Sequence, residues 1–162
     1  MHPAPRNPAF ARRAKQAVAI LSLLGLAWHA SAQTRVDDAW VRATVPGQQA
    51  TGAFMTLTAD SDSQLLSVQS PVAKTVQIHQ SSMNNDVMRM EAVQAVDLPA
   101  GKAVNFDPHG YHVMLIDLVA QVKEGDQVPL TLTVQNAKGE QESIQLQAPV
   151  RALNMPEHHM QH

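Results

Sequence analysis

Short runs of alternating apolar and polar residues, separated by turn residues, constrain the fold of this chain more than any other feature. A clear example is Tyr111–Leu118, which follows the turn signal Asp107-Pro108-His109-Gly110. Successive side chains of a strand point to opposite faces, so a period of two predicts a strand with one buried face. The predicted strands are 40–45, 51–58, 65–68, 75–79, 87–96, 103–106, 111–118, 128–134 and 143–146. About eight to nine short strands without a long amphipathic helix predict an all-β sandwich.

The N-terminal segment has a different composition. Four basic residues precede an apolar run from Ala17 to Ala27, and Ala30-Ser31-Ala32 matches a small-x-small cleavage signal. This order predicts a secretory signal peptide over residues 1–32, cleaved near Ala32. The apolar run is shorter than the ~20 residues that a membrane-spanning helix needs. We therefore expect an exported protein whose domain covers residues 33–150.

Charge and cysteine content exclude several function classes. Removing the leader leaves eight basic and 14 acidic residues, a net charge of −6, which argues against nucleic acid or an anionic membrane surface as a partner. The chain contains no cysteine. A thiol nucleophile, a thiolate zinc site and a blue-copper centre are therefore excluded. Any site for a soft metal must use Met and His.

His112 and Met114 are the first candidates for such a site. They lie two residues apart on a predicted strand, so their side chains share one face with Ile116. Val113 and Leu115 are expected on the other face. An imidazole beside a thioether is a soft, neutral pair that favours Cu(I) over hard cations. Chance and core packing also explain such a pair when it stands alone.

A second His–Met pair lies upstream. Val76 and Ile78 are predicted to face the core, so His79 should point the opposite way. Beyond the turn Asn84-Asn85-Asp86, Met88 and Met90 share one face of the next strand. Two His–Met pairs could form a neutral shell of two nitrogen and two sulfur ligands, which suits Cu(I).

The spacing of these residues resembles a known signature. Ten residues separate His79 from Met90, 21 separate Met90 from His112, and one separates His112 from Met114. This is similar to the H-x10-M-x21-H-x-M motif of the PCuAC family of periplasmic copper chaperones. The resemblance extends over roughly Val36 to Val150 and includes the segments Trp40–Thr44, Thr51–Met55, Val87–Met90, Gly110–Leu115 and Lys123–Leu130.

The resemblance implies a cupredoxin-like, immunoglobulin-like β-sandwich in the periplasm, with His79, Met90, His112 and Met114 as ligands of Cu(I). It further implies a carrier rather than an enzyme. Copper would go to the CuA site of respiratory cytochrome c oxidase, with a Sco-type thioredoxin-like protein as a possible second partner, and the chaperone is expected to be a monomer. Met83 and Met88 are candidate additional ligands that the motif does not assign. His109 stands where the family often has a small residue, and we expect it to face solvent.

The C-terminal segment, residues 151–162, lacks strand alternation and is predicted to be a flexible tail. It contains the candidate ligands His158, His159, Met160 and His162. Short His-rich tracts can bind metal, and imidazoles suit Cu(II) better than thioethers do. A second, Cu(II)-binding site in the tail is therefore a separate hypothesis.

Two alternative functions stay open at this point. One is copper storage or resistance, although storage normally requires more ligands than four. The other is an exported interaction domain with no metal. Electron transfer of the blue-copper kind is disfavoured because the chain has no cysteine.

Overall fold

Alternating residues form strands throughout the part of the chain that the computed structural model describes, which is residue 3 and residues 33–152. The strands are β1 (Thr34–Arg42), β2 (Ala50–Ala59), β3 (Ser63–Gln69), β4 (Ala73–Asn84), β5 (Val87–Val93), β6 (Val96–Leu98), β7 (Ala103–Phe106), β8 (Tyr111–Leu118), β9 (Gln127–Asn136) and β10 (Gln141–Arg151). Within residues 33–152 no helix is present that could cross a membrane. The predicted cleavage site and residues 153–162 of the predicted tail lie outside the described residues.

The ten strands are hydrogen-bonded in the order β5-β4-β8-β7-β2-β1-β10-β9-β3-β6, and β8 also pairs with β2. One layer contains β5, β4, β8, β7, β2 and β1, and the other contains β10, β9, β3 and β6. The layers are joined where β1 runs parallel to β10, with Val41 beside Val150. The all-β sandwich is therefore confirmed.

The count of eight to nine strands is too low, because one predicted strand is two. The segment 87–96 divides into β5, which pairs with β4, and β6, which pairs with β3 in the other layer. The predicted first strand also begins earlier, at Thr34. Its alternation is interrupted by a bulge between Asp37 and Trp40, where Asp38 has a φ of 51°. At the other end, β10 continues one residue past the predicted domain boundary, to Arg151.

The core lies between the layers and is filled by one face of each long strand. Val113 and Leu115 of β8 are fully buried there, and Ile78 of β4 packs in the same cluster. Leu57 of β2 and Leu132 of β9 close it from the two layers. Since neighbours in a strand alternate, His79, His112 and Met114 lie on the opposite face, away from the core. The predicted separation of faces on β8 is confirmed.

Candidate metal centre

The two candidate histidines meet across one strand pair. In the antiparallel pairing of β4 with β8, His79 lies directly opposite His112. Their ring centroids are 5.8 Å apart, and the rings meet edge to face at 67°. Directly opposite residues share a face, with Cβ atoms about 4.5–5.5 Å apart. The pairing therefore brings together two imidazoles that are far apart in the sequence.

The two methionines flank this pair on the same face. Met114 follows His112 by two positions on β8 and lies opposite Gln77, while Met90 of β5 lies opposite Ser81. Each methionine is therefore a diagonal neighbour of His79, at about 7–8 Å between Cα atoms. Methionine has three rotatable side-chain bonds and can span such a gap. The structure thus places all four predicted ligands on one face of three adjacent strands.

His112 is held by a backbone carbonyl. Its side chain is 4% exposed, and its Nδ1 lies 3.2 Å from the carbonyl oxygen of Gly110. A carbonyl oxygen can only accept, so Nδ1 must carry the proton and Nε2 keeps its lone pair. The same carbonyl accepts the Ser81 N–H at 3.0 Å. Ligating histidines commonly donate their second ring N–H to such a group, which fixes the tautomer and the orientation of the ring.

The Gly110 carbonyl is positioned by the turn that precedes β8. The Asp107 carboxylate accepts the backbone N–H groups of His109 and Gly110, both at 2.8 Å. The Asp107 N–H donates to the Tyr111 carbonyl at 2.8 Å and closes the turn. His109 is exposed, as the sequence predicted.

His79 is half-buried and is oriented by a side chain on its own strand. Its Nε2 lies 2.9 Å from Oε1 of Gln77. Donation from Nε2–H to this oxygen leaves Nδ1 with a free lone pair. Partial burial, and next the electrostatic interaction with His112, lower the pKa of His79 below its ordinary value. The neutral imidazole that a metal requires is therefore favoured.

The donors of this group are soft and neutral. Within residues 33–152, no three or more His, Asp or Glu side chains are placed to hold a metal ion. The chemistry of the group therefore depends on its thioethers. Met90 is 56% exposed while His112 is buried, so the group is open to solvent on the side of Met90. Imidazole and thioether ligands fit Cu(I) and fit hard cations such as Mg²⁺ poorly.

The other predicted ligands fall in two places. Met83 and Met88 lie opposite each other nearer the tip of the β4–β5 hairpin, on the face of His79. The tail candidates His158, His159, Met160 and His162 lie outside the described residues.

Gln77 was not identified from the sequence as a residue of the site. Its position two residues before His79 was the available signal, because alternation puts both side chains on one face.

Comparisons with known proteins agree with this architecture. The family described as "Putative lipoprotein LpqE-like" matches residues 34–150. A curated relative, putative lipoprotein Lxx21020 of Leifsonia xyli subsp. xyli, is 32% identical over 127 residues, which are 72% of this chain and 76% of the relative.

Two solved structures have the same fold. One is the copper-bound PCuAC domain from PmoF2, with 25% identity and a TM-score of 0.59, covering 74% of this chain and 92% of that domain. The other is the Cu(I) form of DR1885 from Deinococcus radiodurans, with 28% identity and a TM-score of 0.54, covering 75% and 81%. The resemblance to the PCuAC fold is thereby confirmed.

Proposed function

The chain belongs to the LpqE-like family of putative lipoproteins, and from this membership and the geometry above we propose that it binds Cu(I) and carries it to an acceptor. The ligands are His79, Met90, His112 and Met114. The observation that supports this most is the register of β4 and β8, which sets His79 opposite His112 and leaves each imidazole one nitrogen to donate. The PmoF2 domain is copper-bound and the DR1885 structure is a Cu(I) form, and both support the same metal.

The shape of the site supports a carrier rather than an enzyme or an electron-transfer protein. Its ligands lie on the strand face away from the core, and Met90 on one side of the group is more than half exposed. An acceptor can therefore approach the ion directly. Thioether and imidazole ligands hold Cu(I) without a thiolate, so an acceptor with cysteine ligands would bind the ion more tightly and transfer would run downhill.

The acceptor in this proposal is the CuA site of cytochrome c oxidase, either directly or with a Sco-type thioredoxin-like protein. This assignment follows the resemblance in the sequence motif. The location is the periplasm, supported by the predicted export signal of residues 1–32. The 162 residues contain no cysteine thiol that could carry a thioether-linked lipid.

Competition against a Cu(I)-specific chromophoric chelator tests the ligand set. His112→Ala and Met114→Ala should each weaken Cu(I) binding by more than the roughly 10–100-fold that loss of an outer hydrogen-bond partner costs. Met55→Leu is the matched control, because Met55 is 2% exposed on the core face. Circular dichroism of each variant checks that the sandwich is intact. Equal affinities for all three variants would remove the four-ligand assignment.

A second measurement tests delivery. The Cu(I)-loaded protein is mixed with the apo form of a soluble CuA domain without oxygen, and the two are separated before their copper is measured. We expect most of the copper on the CuA domain. Copper that stays on the loaded protein would contradict delivery and favour storage.

A further inference from the structure

The hairpin formed by β4 and β5 holds a second group of thioethers. Met83 and Met88 lie directly opposite each other, one step from the tip. The tip consists of Asn85 and Asp86, whose φ angles of 49° and 60° are those of a tight two-residue turn. Such a turn fixes the register of the strands that it joins. The turn itself therefore places Met83 opposite Met88.

Met90 connects this pair to the histidines. It follows Met88 by two positions on β5 and is a diagonal neighbour of Met83 on one side and of His79 on the other. All three thioethers consequently share the face of the candidate metal centre. Diagonal neighbours are about 7–8 Å apart between Cα atoms, within reach of methionine side chains.

Core packing does not explain these methionines. Met83 is 67% exposed, Met88 47% and Met90 56%, so none of them belongs to the core. The other face of the same hairpin carries Arg89 and Glu91, which are polar. The thioethers are thus confined to the face that leads to His79, and three soft donors without a carboxylate among them select for Cu(I).

We propose that Met83, Met88 and Met90 form an exposed three-thioether site that takes up Cu(I) and passes it to the site of His79 and His112. This inference rests on the proposed function. The transfer is a ligand exchange in which Met90 stays bound. The Cu–S bonds to Met83 and Met88 break. Cu–N bonds to the free nitrogens of His79 and His112 form, and so does a Cu–S bond to Met114. The copper stays Cu(I), and no proton or electron moves, because the imidazoles are neutral and the thioethers uncharged.

Methionine-methyl NMR of the full chain tests the uptake site, with ¹³C-methyl methionine, Cu(I) alone as the probe and no oxygen. Signals are assigned from single Met→Leu variants. In the wild type, the first equivalent should shift Met90 and Met114, and further Cu(I) should shift Met83 and Met88. In the double variant H79A/H112A, Cu(I) that binds to the hairpin should shift the methyl signals of Met83, Met88 and Met90 together.

The two proposals fail in different ways in this experiment. In one outcome, the signals of Met90 and Met114 shift in the wild type. Those of Met83 and Met88 stay fixed at every Cu(I) ratio, and also in H79A/H112A. The uptake site is then wrong and the proposed function stands. If Met90 and Met114 do not respond in the wild type, the proposed function itself is wrong.

Loading kinetics test the transfer. Cu(I) is supplied as a coloured chelate, and its loss of colour is followed by stopped flow. The variant M83L/M88L keeps the apolar bulk of the hairpin but removes two donors. With one equivalent of Cu(I) supplied, it should load several-fold more slowly and reach the same end point as the wild type. M55L, which removes a thioether from the core face, should load at the wild-type rate. Equal rates for M83L/M88L and M55L would overturn the uptake role.

Discussion

His79 and His112 face each other across β4 and β8, and the residues next to them on the two strands, Ile78 and Val113, face each other in the core. The same register therefore sets both the packing and the candidate ligands. A slip of one residue would turn His79 to the opposite face and expose Ile78. Burial of Ile78 and Val113, which are 4% and 0% exposed, disfavours that slip. The core thus stabilises the geometry of a surface site.

Gln77 should matter to copper binding although it is not a predicted ligand. Its Oε1 accepts the Nε2–H of His79, which holds the ring and leaves Nδ1 with a free lone pair. Gln77→Leu should weaken Cu(I) binding by roughly 10–100-fold, the usual effect of losing a partner that orients a ligand. A chelator competition titration measures the change.

Gln80→Leu is the matched control for that variant. Gln80 is exposed on the same strand but on the other face. We expect its Cu(I) affinity to equal that of the wild type. If Gln77→Leu and Gln80→Leu bind equally well, the hydrogen bond to His79 has no role in the site.

The metal-free protein should lose stability as the pH falls through the range in which His79 gains a proton. The pKa of His79 in the folded chain lies below its ordinary value near 6.5, first because of partial burial and second because of His112. Between the folded and unfolded pKa values the unfolded chain binds more protons, so the free energy of unfolding rises with pH there. The His79 contribution is fully present above the unfolded pKa and is lost as the pH falls through the folded one.

Urea unfolding of the metal-free protein at a series of pH values measures this dependence. The variant His79→Gln has no proton to gain at this position, so its free energy of unfolding should fall less on acidification than that of the wild type. His109→Gln is the control, because His109 is exposed on the turn before β8. The same pH dependence in all three proteins would contradict the assignment to His79.

The predicted tail should affect Cu(II) and leave Cu(I) unchanged. Arg151 belongs to β10, and its guanidinium lies 5.5 Å from the ring centroid of Trp40, so a shortened chain should retain it. A chain ending at Ala152 should keep the Cu(I) affinity of the full protein and lose a Cu(II) site, because tail imidazoles suit Cu(II). Parallel titrations with both ions measure the two sites, and unchanged Cu(II) binding would rule out the tail site.

Alternation predicted the faces of single strands well. It separated His112 and Met114 from Val113 and Leu115, because a period of two is a local property of the strand. Turn residues placed the β4–β5 turn, since consecutive polar residues such as Asn85 and Asp86 tolerate positive φ.

Partnerships between strands could not be obtained from alternation. The meeting of His79 with His112 and the crossing of the chain from β5 to β6 depend on pairings between distant segments. The spacing motif, which does not depend on alternation, indicated that His79 and His112 come together. Nothing comparable indicated that the Gly110 carbonyl would hold His112, because that bond depends on the shape of the turn.

Gly52 is predicted to be the least replaceable glycine near the site. It lies opposite Met114, and a Cβ added there would be 2.8 Å from Cζ of Phe54. The Phe54 ring has little room to move, because it packs 4.7 Å from the Trp40 ring and lies 5.3 Å below the Arg42 guanidinium. Gly52→Ala should therefore lower the free energy of unfolding by about 1–3 kcal/mol, the usual effect of overpacking.

Urea unfolding measures this loss, and Gly110→Ala is the control. A Cβ at Gly110 would meet Oδ1 of Asp107 at 3.6 Å, which is ordinary contact. Its free energy of unfolding should stay within about 0.5 kcal/mol of the wild-type value. If Gly52→Ala loses as little stability as Gly110→Ala, the Phe54 ring can move aside, and Gly52 is not needed for close packing beside Met114.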